Sequence, residues 1–351
     1  MNTYALGGHG RLASLARRLV PLSRYGYTPK LGSWLRKNAQ NYDAIILNGL
    51  WNYTSYGCWL ALRKSSVPYF VCPHGMLDPW LRKANPAGHL LRTIFWRFFE
   101  RKVLRDSRGV FFASEEERQL ASQSFLQQDS CGYVVGYGTE DIAGDQEAQK
   151  SVFLSKFPEM RERKLALFLS RIHPKKGLDI LIRAFARLAD DFAAFDLVIA
   201  GPDNDGLQSQ LSHLAVELGV DKRIHWTGML TGDEKWGAFR SATFFVLPSH
   251  QENFGIAVVE ALAASAPVLI TKKVNIWREV QASGAGCAVV DDIDGITEGL
   301  RYMCDLPQPD LQRMKINARR CFLERFNIEN NALELVQLMA GLCEKRPGGA
   351  L

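Results

Sequence analysis

The sequence predicts an α/β protein of two domains, the second built on a parallel, doubly wound sheet. The chain has 351 residues, 47% of them hydrophobic, which is enough for two cores of ordinary size. In the second half, short apolar runs alternate with helical patterns, as in parallel strands joined by helices. A polar stretch at 140–151 lacks apolar periodicity and separates the halves. We therefore predict a first domain at 1–140, a linker at 141–152, a second domain at 153–328 and a final segment at 329–351.

Four apolar runs in the first half are interpreted as strands, because short runs of this kind bounded by polar residues are typical of buried strands. The helical segment at 90–105 is rich in aromatic residues and arginines. It fits either an interfacial amphipathic helix or a core helix with a solvated basic edge, and its wide apolar face favours the core helix. The strands are predicted at 43–48, 67–72, 109–113 and 133–135, with further helices ending at 61–64 and spanning 115–122.

The second half alternates more regularly, and its last part is helical. The strands are predicted at 165–169, 197–200, 224–226, 244–247 and 268–270, and the helices at 178–188, 207–218, 233–240, 256–264, 311–325 and 330–342.

Charge is distributed unevenly along the chain. Residues 1–120 hold 18 Lys/Arg and 7 Asp/Glu, a balance of +11, whereas residues 121–351 hold 25 and 30, a balance of −5. A basic first half suggests an anionic partner surface, either nucleic acid or anionic lipid. No basic zipper, zinc finger or RNP sequence is present, so we predict no nucleic-acid partner and favour an anionic membrane surface.

The cysteines and the hydropathy pattern indicate the compartment. Seven cysteines are scattered singly without a C-x2-C pair, which argues against a zinc site and a disulfide framework. No signal peptide is predicted, because 1–20 lacks a continuous apolar core of the needed length. No membrane span is predicted, because the longest uncharged run, 44–62, contains many polar residues. We expect a cytoplasmic protein, peripheral on the inner face of the cell membrane.

The stretch 242–260 combines an apolar strand pattern, a polar loop and a helical pattern that begins near Gly255. The first turn of a helix has unpaired N–H groups and a partial positive charge, so it suits a phosphate. Phe254, Gly255 and Ile256 would offer those N–H groups, and glycine lets a ligand approach the backbone closely. This pattern predicts a phosphate-binding turn.

Two carboxylates flank that turn. Glu260 lies about one and a half helical turns further on, roughly 8 Å along the axis, where it can accept hydrogen bonds from a ribose attached to the phosphate. Glu252, before the helix, would face the group on the other side of a diphosphate. Geometry suggests a nucleoside diphosphate with a polar group at each end. The alternative is an ordinary strand–loop–helix with two solvated glutamates.

Glu252-x7-Glu260, preceded by Pro-Ser and containing Phe-Gly, resembles the signature of retaining glycosyltransferases of family 4. The resemblance covers most of 40–330 and implies the GT-B fold, in which two Rossmann-like domains face a central cleft and the last helix, here 329–351, crosses back onto the first domain. It implies that Glu252 is catalytic and that Glu260 binds the donor nucleotide. Asn253 and Gly201, which follows the strand 197–200, are assigned to the donor as well.

A second match to the family is the loop Ser170-Arg171-x4-Lys176-Gly177. A leaving nucleoside diphosphate gains negative charge as the sugar bond breaks, and two fixed cations would stabilise that charge. A solvated basic loop is the usual interpretation of such residues, but their combination with Glu252-x7-Glu260 favours catalytic roles for Arg171 and Lys176. His74, after the strand 67–72, matches a family histidine that contacts the donor sugar.

Some features depart from the family or have an alternative interpretation. The family's first strand and Gly-Gly loop are missing or unrecognisable in 1–32. Ser265-Ala266-Pro267 stands where the family usually has Gly before Pro, which we expect to narrow the loop near the donor. Asp203-Asn204-Asp205 is a D-x-D sequence, which holds a metal in the GT-A fold. Here it follows a strand of the second sheet, so we interpret it as a turn and helix cap.

We predict a retaining hexosyltransferase that uses a nucleotide-sugar donor as substrate and requires neither a cofactor nor a metal. The expected acceptor is a glycan, such as a lipid-linked glycan in surface polysaccharide biosynthesis. Two alternatives stay open: a sugar-nucleotide epimerase of the same fold, and a catalytically degenerate nucleotide-sugar-binding subunit.

Overall fold

A computed structural model describes residues 26–79, 93–124 and 131–344, which form two compact units. The first unit takes its described residues from the segment before 136 and from 332–344, and the second unit is 136–331. The predicted absence of a first strand and Gly-Gly loop concerns 1–32, most of which lies outside the described residues.

The first unit is built on a four-stranded parallel sheet in the order β1-β2-β3-β4. Strands β2 and β3 are buried along their whole length, as expected where both faces of a parallel sheet are covered. A π-helical turn, Trp96–Glu100, precedes the third helix. The strands are β1 Ile45–Asn48, β2 Tyr69–Cys72, β3 Gly109–Phe112 and β4 Gly132–Val134, and the helices are α1 Pro29–Asn38, α2 Tyr53–Leu62, α3 Arg101–Arg105 and α4 Glu115–Ser122.

The second unit holds a six-stranded parallel sheet in the order β10-β9-β8-β5-β6-β7. The strand order therefore runs outward from β5 in one direction and from β8 in the other, so the sheet has a topological switch point between these two strands. Ligands of open α/β sheets bind at the carboxyl ends of the strands at such a point. The strands are β5 Lys164–Leu169, β6 Phe195–Ala200, β7 Ile224–Gly228, β8 Phe244–Leu247, β9 Val268–Thr271 and β10 Gly286–Val289.

The helices of the second unit share one continuous core with the sheet, made of residues between Phe153 and Phe326. They are α5 Gln146–Lys156, α6 Leu178–Arg187, α7 Leu207–Glu217, α8 Gly232–Ser241, α9 Ile256–Ala263, α10 Trp277–Ala282, α11 Ile293–Asp305 and α12 Gln308–Cys321, and a π-helical turn follows at Phe322–Phe326.

The last helix, α13 (Ile328–Glu344), begins in the second unit and continues in the first. Its side chains Leu335, Leu338 and Leu342 pack in a cluster with Phe70 of β2 and Phe111 of β3. The separate core formed by α1 and α2 with the strands contains neither of these phenylalanines. The C-terminal end of the chain therefore supplies part of the first unit's hydrophobic packing.

The structure corrects several element predictions. The expected linker at 141–152 is partly helical, because α5 begins at Gln146 and packs against α8. The helix predicted at 90–105 contains the π-helical turn, and 90–92 lie outside the described residues. The elements β10, α10 and α11 were not predicted. Ser265 takes a left-handed φ of 60° before β9, at the amino-terminal edge of the sheet and away from the loops at its carboxyl edge.

No helix in the described ranges is both long and apolar enough to cross a membrane.

Candidate functional site

The loops after β5 and β8 meet at the switch point of the second sheet. Gly177 adopts φ 67°, and a Cβ there would lie 2.2 Å from the carbonyl oxygen of Pro248. The backbone N–H of His250 donates to the carbonyl of Lys175 at 2.9 Å. A side chain at position 177 would separate the two loops, so glycine is required for this contact.

The loop after β8 runs from this junction into the N-terminus of α9. Gly255 precedes the helix with φ 79°. The backbone N–H groups of Phe254, Gly255 and Ile256 make no hydrogen bond to any other part of the described chain. The Phe254 ring packs edge-on against Tyr137 and Phe326, with centroids 5.8 and 5.9 Å away. The predicted phosphate-binding turn is therefore a helix start whose N–H donors are unpaired.

Glu252 is fixed by its backbone and paired through its side chain. Its N–H donates to Lys273 at 2.9 Å, and its carbonyl accepts from Asn275 at 3.0 Å. Its carboxylate accepts a hydrogen bond from the ammonium of Lys176, and their side chains are 22% and 13% exposed. Two residues that the sequence placed 76 positions apart thus form one ion pair at the switch point. The side-chain amide of Asn253 accepts a weaker bond from Asn275 at 3.4 Å.

Glu260 is also paired. Lys235, on α8, donates to its Oε1 at 2.9 Å, and both side chains are largely buried. The Lys235 ammonium lies 4.1 Å from the ring centroid of Trp236. Sequence reasoning missed Lys235, because nothing in the spacing of α8 indicates a partner 25 residues away.

Arg171 and Gly201 line the adjacent loops. The Arg171 side chain is exposed and forms no hydrogen bond or ion pair with the residues that the structure describes. Gly201 has φ 144°, and a Cβ there would lie 1.8 Å from the carbonyl oxygen of Ser170. Its N–H donates to Gly228 at 2.8 Å. Because position 201 has no side chain, the carboxyl ends of β5, β6 and β7 can approach each other closely.

The D-x-D sequence forms a helix cap. The two carboxylate oxygens of Asp203 accept from the N–H groups of Leu207 and Gln208 at 2.9 and 3.0 Å, at the start of α7. This confirms the cap interpretation. Over the described ranges, no cluster of three or more His, Cys, Asp or Glu side chains is arranged to hold a metal ion.

His74 lies in the first unit, in the loop after β2, with a left-handed φ of 51°. Its Nε2 is 2.8 Å from Oδ1 of Asn48, the last residue of β1. Burial lowers the pKa of His74, which favours the neutral imidazole. Because β1 and β2 are parallel, the two side chains share the carboxyl edge of this sheet. Asn48 was not identified from the sequence.

A buried carboxylate organises the neighbouring loop of the first unit. Glu100 is fully buried, and its Oε1 accepts from the backbone N–H of Trp51 and from the hydroxyl of Ser55, both at 3.0 Å. Trp51 has φ 64°, and its indole donates to the carbonyl of Met76 at 2.9 Å. Burial raises the pKa of Glu100 to about 7, although the bonds from Ser55 and Trp51 oppose this. Its Oε2 has no hydrogen-bond partner in 26–79, 93–124 or 131–344.

Family models match both halves of the chain. The model of the glycosyl transferases group 1 matches residues 150–321, and that of the glycosyl transferase 4-like domain matches residues 5–134. The first match contains every candidate residue of the second unit, and the second contains His74.

Curated relatives are similar over part of their length. A D-inositol 3-phosphate glycosyltransferase of Mycolicibacterium smegmatis is 33% identical over 258 residues, which cover 72% of this chain and 57% of the relative. A mannosylfructose-phosphate synthase of Agrobacterium fabrum is 27% identical over 186 residues, covering 50% of this chain and 41% of the relative. The chain thus spans less than two thirds of the length of these relatives.

Solved structures resemble the whole chain. Anabaena HepE in complex with UDP and glucose has a TM-score of 0.71 at 16% identity, covering 95% of this chain and 90% of that one. A glycosyltransferase from Rickettsia africae has a TM-score of 0.73 at 14% identity, covering 96% and 89%. At this identity the likeness is one of fold, and it confirms the α/β GT-B class predicted from the sequence.

Proposed function

Because the chain belongs to the glycosyl transferases group 1 family, we propose that it moves a sugar from a nucleotide-sugar donor to an acceptor with retention of configuration. The observation that carries this proposal is the switch point of the second unit. There the Lys176–Glu252 ion pair and the unpaired N–H groups of α9 lie on loops held together by Gly177.

In this proposal the diphosphate of the donor binds at the start of α9 and is contacted by Arg171 and Lys176. An ammonium has three N–H donors, so Lys176 can contact Glu252 and a phosphate oxygen together. Glu252 would then face the donor sugar. Negative charge grows on the leaving oxygen as the bond breaks, and preorganised cations stabilise the transition state more than the bound donor. We propose that these groups supply the electrostatic stabilisation without a metal.

We assign nucleoside recognition to Glu260, Asn253 and Gly201. The carboxylate of Glu260 has one oxygen on Lys235, which leaves Oε2 to accept hydrogen bonds from a ribose. Gly201 lets the end of β6 pack directly on the loop after β5, because a Cβ there would lie 1.8 Å from the carbonyl oxygen of Ser170, and we assign it to the donor site through this packing.

We assign the acceptor to the first unit. His74 of this unit pairs with Asn48 at the carboxyl ends of β1 and β2, and its expected role at the donor sugar stays a prediction. We propose a glycan acceptor, with a lipid-linked glycan of surface polysaccharide biosynthesis as the first candidate. The names of the curated relatives mention a phosphorylated inositol and a phosphorylated sugar, so a phosphorylated polyol is the second candidate. We propose a cytoplasmic location at an anionic membrane surface, supported by the +11 balance of residues 1–120.

The test incubates the full chain with labelled UDP-, GDP- and ADP-sugars, with and without each acceptor class, in EDTA. We expect product with the α-anomeric configuration of an α-linked donor and slow donor hydrolysis without acceptor. Interconversion of the donor sugars would instead indicate an epimerase. Nucleotide-sugar binding without turnover under all conditions would indicate a binding subunit.

Replacement of Lys176 tests the site itself. We expect Lys176→Ala to lower kcat by about 10²–10³, the usual cost of removing a preorganised charge stabiliser. Arg171→Ala should lower kcat as well, and the double variant should lose less than the product of the single losses, because both cations serve one diphosphate. A folded Lys176→Ala enzyme with normal kcat and only a raised KM would show that the cation merely holds the donor.

A further inference from the structure

A cavity of about 280 Å³ lies in the second unit, away from the loops described above. Its wall includes Leu165, near the start of β5, and Ala242 and Thr243, directly before β8. The loops assigned to the donor follow the carboxyl ends of the same two strands. Because the strands are parallel, the cavity lies at the opposite edge of the sheet and is a separate site, which we call the basic cavity.

The described residues in the wall of the basic cavity include five cationic side chains and no carboxylate. Arg163 and Lys150 are each paired with a carboxylate outside the wall. Arg161 has one bond, to a backbone carbonyl at 3.4 Å. Arg240 and Lys315 form no hydrogen bond or ion pair within the part of the chain that the structure describes. Arg161 and Lys315 thus have little or no compensation from the described residues, and Arg240 has only the charge of Asp141, whose pKa it helps to lower.

Two groups in this wall, the hydroxyl of Ser241 and the ammonium of Lys315, need a partner most. The hydroxyl of Ser241, at the end of α8, is buried and has no hydrogen-bond partner among the described residues. Lys315, on α12, is half-buried, and its pKa is lowered by burial and by the charge of Lys150. A buried polar group without a partner and a poorly hydrated cation each cost free energy. An anion inside the cavity would compensate both.

We propose that the basic cavity binds a phosphate group. Its oxygens would accept from the guanidinium groups of Arg240 and Arg161, the ammonium of Lys315 and the hydroxyl of Ser241, a mixture of donors that matches a tetrahedral oxyanion. A water molecule occupies about 30 Å³ of liquid, so the cavity has room for a phosphate with its hydration or for a small phosphate monoester. The proposal does not depend on the activity assigned to the opposite edge.

The experiment measures binding of inorganic phosphate to the full chain by calorimetry, at constant ionic strength set with chloride. All proteins carry Arg171→Ala and Lys176→Ala, which weakens the phosphate site at the donor loops. We expect one site, and at least about tenfold weaker binding after Lys315→Met or Arg240→Met, since each removes a charged hydrogen bond. The matched control is Lys222→Met, which removes an exposed cation outside the cavity and should leave the affinity unchanged.

Two additional experiments check that the variants fold and identify the source of the phosphate group. In chloride without phosphate, the Lys315→Met variant should have a melting temperature no lower than that of its parent, because the substitution removes repulsion with Lys150. If this variant does not fold, Lys315→Gln is used instead. A hexose phosphate in place of inorganic phosphate distinguishes a monoester ligand from the free ion by relative affinity. The proposal is overturned if neither ligand binds to the parent, or if binding is equal in the Lys315, Arg240 and Lys222 variants.

Discussion

At the scale of single residues, Lys235 is the group whose contribution is most directly measurable. It donates to Glu260 at 2.9 Å, so it fixes the carboxylate that we assign to the ribose. We expect Glu260→Ala to weaken nucleoside diphosphate binding by about 10- to 150-fold, the range for a lost charged hydrogen bond. Lys235→Met should weaken it by roughly threefold to tenfold, and the double variant by less than the product, because Lys235 acts through Glu260.

The matched control for Lys235 is Lys156→Met. Lys156 also donates to a glutamate of α8, Glu234, at 2.9 Å, but neither residue lies among the candidate donor contacts. Titration calorimetry with UDP, GDP and ADP provides the affinities. If Lys235→Met and Lys156→Met have the same small effect, Lys235 is an ordinary structural partner of Glu260.

Glu100 makes the stability of the first unit depend on pH. Its pKa is about 7 in the folded chain against an ordinary 4.5, so the folded state binds the proton more tightly. Stability should therefore fall as pH rises from about 4.5 to 7, by roughly 3 kcal/mol in total. Glu100→Gln keeps an acceptor for Trp51 and Ser55 but cannot ionise. We expect its melting temperature to rise relative to that of the parent protein as the pH increases from 5 to 8.

The comparison for this prediction is Glu334→Gln, which changes an exposed carboxylate on α13. Its melting temperature should follow that of the parent at each pH. Parallel curves for Glu100→Gln and the parent would mean that Glu100 ionises like a solvated carboxylate.

The site residues recognised from the sequence were those that belong to a contiguous motif. Glu252, Gly255 and Glu260 occur within nine positions, and helix geometry relates them directly. Lys176 was recognised from its own loop motif, but its pairing with Glu252 was not. Lys235 was not recognised at all. Both lysines reach these glutamates only through the packing of separate strands and helices. Spacing along the chain contains no information about such contacts.

At the scale of elements, the junction of the β5 and β8 loops depends on Gly177. Both Gly177 and Gly206 have a left-handed φ, 67° and 71°, but only at Gly177 would a Cβ meet another backbone, 2.2 Å from Pro248. Gly206→Ala should cost about 1–2 kcal/mol from backbone strain alone. Gly177→Ala should cost more and should also weaken nucleoside diphosphate binding, because the loops that carry Lys176 and Glu252 must separate.

Thermal unfolding and calorimetric titration of the two alanine variants test this expectation. Equal losses of stability, with nucleotide affinity unchanged in both, would show that the β5 and β8 loops tolerate the added methyl group and that their contact is not essential.

The elements predicted correctly are those with continuous burial or a strong helical pattern. β8 is buried over Phe244–Leu247 and was predicted with the same bounds. β10 is an edge strand that is only partly buried and begins with glycine, so its residues Gly286–Val289 do not form the continuous buried pattern seen in β8. The helix α5 was mistaken for a linker because Phe153 is one of its few deeply buried side chains.

At the scale of the whole molecule, the two units differ in how the chain supplies them. The second is one continuous segment with its own core. We expect a fragment of residues 136–331 to fold alone, with cooperative thermal unfolding and the nucleotide affinity of the full chain. A fragment of residues 1–135 should not unfold cooperatively, because it lacks the α13 residues that pack on Phe70 and Phe111.

Circular dichroism melting of both fragments decides this prediction, and adding a peptide of residues 328–344 to the first fragment is its control. Partial recovery of cooperative unfolding with the peptide would support the role of α13. A fragment 1–135 that melts cooperatively without it would contradict that role.

The path of α13 also determines the order in which the two units can complete their folding during synthesis on the ribosome. Translation proceeds from the N-terminus, and domains usually fold in the order in which they emerge. Here all of 136–331 is made before the segment 332–344 that completes the packing around Phe70. The first unit is therefore expected to finish folding after the second, and its uncovered phenylalanines would need protection until the codons for 332–344 have been read.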